Sequence, residues 1–155
     1  MRRKDREITS YDKMLEIMQS CDCCRIGLKD GDGVYILPLN FGYEEQSGKL
    51  TLYFHGASEG KKIDLIKQQN TASFEMDTKH QLVEADVACS YSYLYQSIMG
   101  KGKISLVDDP EEKINGLECV MLHYSNNNTW KFNEEVIKRV TVIKIEVTEW
   151  SCKEH

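Results

Sequence analysis

The chain has 155 residues, of which 41% are hydrophobic and 29% are charged, and its formal net charge is −5. This length and composition predict one globular domain over residues 1–155 with enough apolar material for one core. The acidic balance argues against nucleic acid as a partner, because nucleic-acid-binding domains usually carry a basic stripe. Basic residues gather only in residues 2–6, which we expect to be a solvated tail.

The sequence has no apolar run of the ~20 residues that a membrane span requires, nor the apolar stretch of a signal peptide near its start. We therefore expect a cytoplasmic protein with no membrane partner, whose six cysteines stay reduced. Cys21, Cys23 and Cys24 cluster, but no second Cys/His pair follows at the spacing of a zinc site. We predict no metal site here and expect these cysteines to be small buried residues.

The first predicted elements are a helix and a strand. Thr9 or Ser10 precedes residues 11–20, whose apolar residues recur at helical spacing, so we predict a capped helix there. Residues 24–28 alternate between apolar and other side chains, which is typical of a half-buried strand.

Two turns then predict a three-stranded antiparallel meander. Residues 30–33 read Asp-Gly-Asp-Gly and suit a hairpin, because glycine supplies the positive φ of a tight turn. A return strand follows over residues 34–43, in which Pro38 indicates an edge position or a bulge. Residues 47–48, Ser-Gly, turn the chain into a third strand over residues 49–55.

The second half of the sequence alternates less regularly between helices and strands. We predict helices over residues 59–69 and 110–124, and strands over residues 71–76, 91–107 and 141–147. Asp109 is predicted to cap the second helix, with Pro110 in its first position. Asn126-Asn127-Asn128 is predicted to be a loop. Asn133 is predicted to cap a further short helix.

The predicted order contains some six strands, mostly consecutive, and about three helices. A Rossmann unit is excluded, because it alternates strand and helix throughout. The pattern favours a mainly β fold, a small antiparallel barrel with helices at its ends.

The most informative segment is the turn between the third strand and the next helix. Gly56 and Gly60 bracket it, and it delivers Lys61 and Lys62 to the first helical turn. Free backbone amides and the positive end of the helix dipole favour an anion there, and two ammonium groups would suit a phosphate monoester. The alternative is that both lysines belong to a solvated helix face.

Upstream of this turn, Pro38, Asn40, Tyr53 and His55 could hold a planar ring system. For His55 an ordinary half-buried strand position is equally compatible with the sequence. The histidines at 80 and 123 have no partner motif and are expected at the surface or on a helix face, while Trp130 could pack on a partner subunit or anchor on the surface.

Taken in order, these segments resemble the FMN-binding split-barrel family, which includes pyridoxamine 5′-phosphate oxidases. The resemblance spans roughly residues 8–147 and rests on Pro38-Leu39-Asn40-Phe41-Gly42-Tyr43, Tyr53-Phe54-His55-Gly56-Ala57, Gly60-Lys61-Lys62 and Ser97-Ile98-Met99-Gly100-Lys101-Gly102. It implies a six-stranded antiparallel split β-barrel of Greek-key type with FMN as cofactor.

The resemblance also assigns the segments to parts of the cofactor. The strand at 38–41 would contact the isoalloxazine ring through its backbone, the turn and helix at 55–62 would hold the ribityl phosphate, and the strand at 97–100 would add contacts. The cofactor-binding residues implied in this way are Pro38, Leu39, Asn40, Phe41, Tyr53, His55, Ala57, Gly60, Lys61, Lys62, Ser97, Ile98, Met99 and Gly100.

The segment after residue 147 lacks the arginine-rich stretch of true pyridoxamine-phosphate oxidases, so we do not expect that substrate. The nitroimidazole-reductase-like branch is the nearer resemblance, and it implies a homodimer with FMN at the interface and a small, flat electron acceptor. Because a flavin carries the reaction, no catalytic residue is assigned. The alternative is a non-catalytic flavin- or haem-binding module with a sensing or storage role.

Overall fold

The computed structural model describes residues 3–125, 127 and 129–155. The strands in this part of the chain are β1 (Glu7–Ile8), β2 (Cys24–Asp30), β3 (Gly33–Leu39), β4 (Phe41–Gln46), β5 (Lys49–Gly56), β6 (Thr71–Val83), β7 (Ser92–Val107) and β8 (Thr141–Glu154). The α-helices are α1 (Tyr11–Gln19), α2 (Lys61–Gln68), α3 (Pro110–Tyr124) and α4 (Glu134–Arg139), and short 3-10 helices lie at Lys4–Arg6 and Ala88–Ser90.

All the strands belong to one antiparallel sheet in the order β3-β2-β6-β7-β8-β5-β4, and β1 pairs with β8. This confirms the predicted mainly β class with flanking helices. The sheet contains eight strands rather than the predicted six. The difference arises because β1 has only two residues and because the predicted strand over residues 34–43 is divided at Asn40.

The predicted meander is wrong at this division. β3 pairs with β2, where Leu39 faces Cys24, whereas β4 pairs with β5, where Phe41 faces Phe54. β3 and β4 therefore lie at opposite ends of the strand order although only Asn40 separates them in the chain. The covalent connection at Asn40 joins the two ends of the sheet, and the sheet curls into a barrel that is open beside β3.

Several strands run further than alternation alone predicted. β6 and β7 continue past an irregularity at Thr78/Gln81 as a ribbon, and β8 extends to Glu154 opposite Gln96. Residues 79–83 of β6 are exposed and residues 92–97 of β7 are mostly half-buried, so neither segment shows the apolar/polar alternation that identifies a half-buried strand.

The main core fills the barrel and is completed by α1 and α2, both of which bury apolar side chains against it. Its largest fully buried members are Phe41, Phe54, Ile17, Met18, Ile26, Leu28, Leu52, Ile63, Met76, Ile98, Ile143 and Ile145. A second, smaller cluster lies on the outer face beneath α3 and contains Tyr53, Val107, Val120 and Val142. Residues on the two faces of β5 thus belong to two separate cores.

The predicted caps are confirmed where the structure describes them. Ser10 Oγ and Asp109 Oδ2 accept hydrogen bonds from backbone amides at 3.5 Å and 2.8 Å, and Asn133 Oδ1 accepts one from the Glu135 amide at 2.9 Å. The predicted loop at Asn126-Asn127-Asn128 falls largely outside the described residues.

The cysteine cluster lies at the junction of α1 and β2. Cys21 and Cys24 are buried as predicted, while Cys23 is half-buried, and burial raises the pKa of the Cys21 thiol to about 12. The two buried residues therefore act as neutral, apolar packing groups. In the described part of the chain, no helix is long and apolar enough to cross a membrane.

Candidate cofactor site

The turn after β5 ends in a helix start that lacks a side-chain cap. Gly60 is the N-cap of α2 with φ +110°, a conformation that favours glycine, and it offers no side chain to the first amides. The amides of Lys61 and Lys62 have no acceptor within the helix. An anion at this point would complete their hydrogen bonding and would meet the positive end of the helix dipole.

Lys62 lies over Gly56 at the end of β5. A Cβ atom added at Gly56 would be 2.6 Å from Nζ and 2.8 Å from Cε of Lys62, so the missing side chain provides the space that the ammonium group occupies. Lys62 is half-buried, and among the described residues no carboxylate lies within ion-pair distance of it. Gly56 and Lys62 together form a small cationic cradle beside the open helix start.

Lys61 points elsewhere. Its ammonium pairs with the Asp30 carboxylate at 2.6 Å and lies 5.1 Å from the centre of the Tyr35 ring. It therefore reaches from α2 to the β2–β3 hairpin. Both charged groups are more than a third exposed, so this ion pair holds the lysine only weakly.

The strand corner at Asn40 is fixed by the last residue of α3. The buried Phe41 amide donates a hydrogen bond to the Tyr124 hydroxyl at 3.2 Å, and that hydroxyl donates to the Asp22 carbonyl at 2.8 Å. Pro38 and Asn40 are exposed on either side of the half-buried Leu39. Pro38 and Asn40 are thus accessible from solvent, while the end of this segment is held in place.

Tyr53 and His55 both face outwards from β5, because side chains alternate along a strand. Tyr53 is buried under α3, with its hydroxyl 3.5 Å from Glu112, and burial raises its pKa to about 12. His55 is exposed at the strand end, next to the exposed Ala57. Of these residues, His55 and Ala57 are accessible to a ligand, whereas the side chains of Tyr53 and Phe41 are committed to packing.

The segment Ser97–Gly100 lies apart from the turn. It belongs to β7, which β2 and β6 separate from β3 and which β8 separates from β5. Ile98 is in the core, and a side chain at Gly100 would overlap the Phe74 ring, whereas Met99 is 58% exposed on the outer face. The chain therefore brings residues 38–41 and 55–62 together near one end of β8, where Gly56 pairs with Thr141, whereas Ile98 pairs with Cys152 near the other end of that strand.

Comparisons with known proteins identify the family of this chain. A family model described as pyridoxamine 5′-phosphate oxidase matches residues 10–154. The chain belongs to the pyridoxamine 5′-phosphate oxidase family. The predicted split-barrel family and fold are thereby confirmed, although no curated protein gives a significant match.

Solved structures with a fold similar to that of this chain include a candidate 5-nitroimidazole antibiotic resistance protein from Bacteroides thetaiotaomicron. It is 31% identical, covers 96% of this chain and 86% of its own, and gives a TM-score of 0.82. A flavocytochrome from Azotobacter vinelandii is 18% identical, covers 100% and 72%, and gives a TM-score of 0.81. An FAD and heme binding protein from Mycobacterium smegmatis is 14% identical, covers 96% and 73%, and gives a TM-score of 0.82.

His123 lies on a face of α3, which is one of the two positions that the sequence predicted, but this face packs against the barrel and its role beside the site was not predicted. Its ring lies 4.2 Å from the Phe41 ring, and its Nε2 is 2.8 Å from the Cys21 carbonyl oxygen. Burial lowers its pKa. Helical spacing could have indicated this position. Gly116 and Val120 are the buried residues of α3, and steps of three or four residues along the same face lead to residues 123 and 124.

Proposed function

We propose that this member of the family is an FMN-binding oxidoreductase, with the FMN phosphate at the start of α2. The observation that supports this most is the cradle made by Gly56 and Lys62 beside the uncapped helix start at Gly60. A compact dianion suits these groups, because two open amides and an ammonium group would each give a charge-assisted hydrogen bond. Lys61 would contribute by leaving Asp30 or through its amide alone.

The ring system would lie along residues 38–40, of which Pro38 and Asn40 are exposed. That segment is next to the phosphate cradle, because Phe41 pairs with Phe54 two residues before Gly56. The Tyr124 hydrogen bond would keep the corner in a single conformation whether or not the cofactor is bound. When bound, FMN supplies hydride or single-electron transfer; the chain supplies its binding and orientation.

The proposed acceptor is a small, flat, nitroaromatic-like molecule. This proposal draws on the relative from Bacteroides thetaiotaomicron, which matches nearly the whole chain at 31% identity and is named for 5-nitroimidazole resistance. The exposed end of β5 at His55 and Ala57 leaves room for such a molecule beside the ring system.

We further propose a homodimer in which a second copy completes the cofactor site. Val34 and Ile36 on β3 and Met99 on β7 are each more than half exposed, which is unusual for apolar side chains on a sheet face. Residues 97–100 pair with residues 150–153 of β8, whereas the end of β5 at Gly56 pairs with Thr141 at the opposite end of that strand. A two-fold partner could bring its own β7 to the turn, since such an interface uses the same patch twice.

A flavin- or haem-binding module without turnover is the second candidate. The exposed imidazole of His55 is the observation that favours it, because neutral imidazole is a common metal ligand. The absorption spectrum of the purified protein separates the candidates: bound flavin with turnover of 2-methyl-5-nitroimidazole supports the oxidoreductase. A haem spectrum, or bound flavin that a nicotinamide or dithionite donor reduces without transfer to the acceptor, would support the module instead.

A further inference from the structure

An apolar cavity of about 230 Å³ lies between α3, α4 and the end of β5. Six of the residues that line it are apolar, and two are polar. The apolar residues are Leu117, Val120, Met121, Phe132, Ile137 and Val140, and the polar ones are His55 and Asn133. The cavity is outside the barrel, on the face of β5 opposite to the main core.

The sequence builds this cavity from two helices that do not close over β5. Leu117, Val120 and Met121 recur at helical spacing and turn one face of α3 towards the cavity, while Ile137 on α4 faces it from the other side. His55 provides a titratable, hydrogen-bonding group at the cavity, because alternation directs it outwards after the inward-facing Phe54.

The cavity is too small for the cofactor itself. Ligand pockets for drug-sized molecules usually span ~300–1,000 Å³. A volume of about 230 Å³ suits one substituted ring but neither a three-ring isoalloxazine nor a haem. Whatever fits here is therefore a different molecule from the one proposed for the cradle at Gly56 and Lys62.

The cavity and the cofactor site meet at one residue. Phe54 pairs with Phe41 in the antiparallel ladder. The next residues beyond this pair, His55 on β5 and Asn40 before β4, are therefore close to each other. On the turn side, the chain continues from His55 to Gly56 and the lysine cradle. A ring in the cavity would thus lie next to the segment along which the isoalloxazine is proposed to lie.

We infer that this cavity is the acceptor subsite and that it takes a single heteroaromatic ring with a hydrogen-bonding substituent, such as a nitroimidazole. The inference rests on the proposed function. Apolar walls favour the face of a flat ring, and the imidazole of His55 can exchange one hydrogen bond with a nitro or ring-nitrogen atom. Acceptors with two or more fused rings are expected to be excluded by size.

The test uses 2-methyl-5-nitroimidazole binding to the purified, FMN-loaded protein, followed by the NMR signals of the methionine methyl groups. The Met121 methyl signal is expected to move on titration, while that of the buried Met14 in the barrel core stays in place. The Met121→Trp variant should fill the cavity and weaken probe binding at least tenfold. Leu122→Trp is the matched control, because Leu122 is the adjacent exposed residue of α3 and does not line the cavity.

Both substitutions are at exposed positions, so both variants are expected to fold and to keep their FMN, which absorbance and thermal unfolding check. Equal probe affinity in Met121→Trp and wild type, no binding by wild type, or loss of FMN together with the probe in Met121→Trp would each overturn the inference. If the protein takes up no FMN at all, the proposed function fails, and the Met121 signal shows separately whether the cavity binds the ring.

Discussion

The Tyr124 hydroxyl lies between two backbone groups that are far apart in sequence. It accepts a hydrogen bond from the Phe41 amide at 3.2 Å and donates one to the Asp22 carbonyl at 2.8 Å. The final residue of α3 thereby links the strand corner of the candidate site to the loop between α1 and β2. Because Phe41 is fully buried, its amide has poor access to water as an alternative partner.

Replacing Tyr124 with phenylalanine removes this link and keeps the ring. We expect the Tyr124→Phe variant to lose about 1–3 kcal/mol of unfolding free energy, because a buried amide is left without its partner. Urea unfolding measures the change. The control is Tyr91→Phe, which alters an exposed tyrosine and should stay within about 0.5 kcal/mol of wild type. Equal stabilities of the two variants would contradict the assigned role of Tyr124.

His123 is expected to make stability depend on pH. A carbonyl can only accept, so the neutral ring must carry its proton on Nε2 towards Cys21. Its buried Nδ1 has no hydrogen-bond partner among the residues that the structure describes. Burial lowers its pKa below the ordinary histidine value of 6.5, so the unfolded chain binds this proton more readily. Neutral His123 therefore contributes its full share of the unfolding free energy at any pH above the pKa that it has in the unfolded chain. This share is lost as the pH falls from that value through the lower pKa of the folded state.

Chemical unfolding from pH 7 downwards measures this effect. Wild type should lose stability as the pH falls below 6.5, and His123→Gln should show a flatter dependence across the same window. His55→Gln is the control and should keep the wild-type profile, because His55 is exposed and makes no ion pair among the described residues. A His123→Gln profile identical to wild type would show that this histidine does not control the pH dependence.

Much of the fold could be predicted from local chemistry, and the exceptions have physical reasons. The caps at Ser10 and Asp109 and the Asp-Gly hairpin depend on neighbours in sequence, so they were predictable. The division at Asn40 was not, because alternation identifies the face of a residue and not the strand that pairs with it.

The candidate site shows the same limit. The sequence shows that a turn, Gly60 and two lysines follow one another. It does not show that the side chains of Lys61 and Lys62 point in different directions. Adjacent residues on a helix point about 100° apart, so a pair in sequence need not act as a pair in space. Two contacts are made only in the tertiary fold: Lys61 pairs with Asp30, and Phe41 packs on His123.

Gly56 should be needed for the cradle but not for the fold. In Gly56→Ala the new Cβ would displace the Lys62 ammonium, the mobile end of a flexible side chain, so stability should change little. FMN affinity should fall at least several-fold, because one charge-assisted hydrogen bond is lost. Gly33→Ala is the control, since a Cβ there makes only an ordinary contact with the Asp30 carbonyl at 3.7 Å. FMN titration monitored by flavin fluorescence compares the two; equal affinities would remove Gly56 from the site.

The proposed homodimer is expected to depend on the exposed face of β3. Sedimentation of the flavin-loaded protein should give twice the chain mass of 17.9 kDa, and Ile36→Asp should split the dimer and release FMN together with it. Val87→Asp, at another exposed apolar residue, is the matched control and should stay dimeric. A monomer that holds FMN tightly would mean that one chain builds the whole pocket.

The phosphate assignment can be isolated by comparing FMN with riboflavin, which differs only in lacking the phosphate. Lys62→Ala should weaken FMN binding by about 1.5–3 kcal/mol, because a hydrogen bond to a charged group is lost. Lys61→Ala should have a smaller effect, since Lys61 pairs with Asp30. The double variant should lose the most.

Titration of wild type and Lys62→Ala with both flavins is the most direct measurement of the central claim. The account predicts that wild type binds FMN much more tightly than riboflavin, that Lys62→Ala loses most of this preference, and that riboflavin binds both proteins about equally. Equal affinities of wild type for FMN and riboflavin, or an unchanged preference in Lys62→Ala, would contradict a phosphate site at the start of α2.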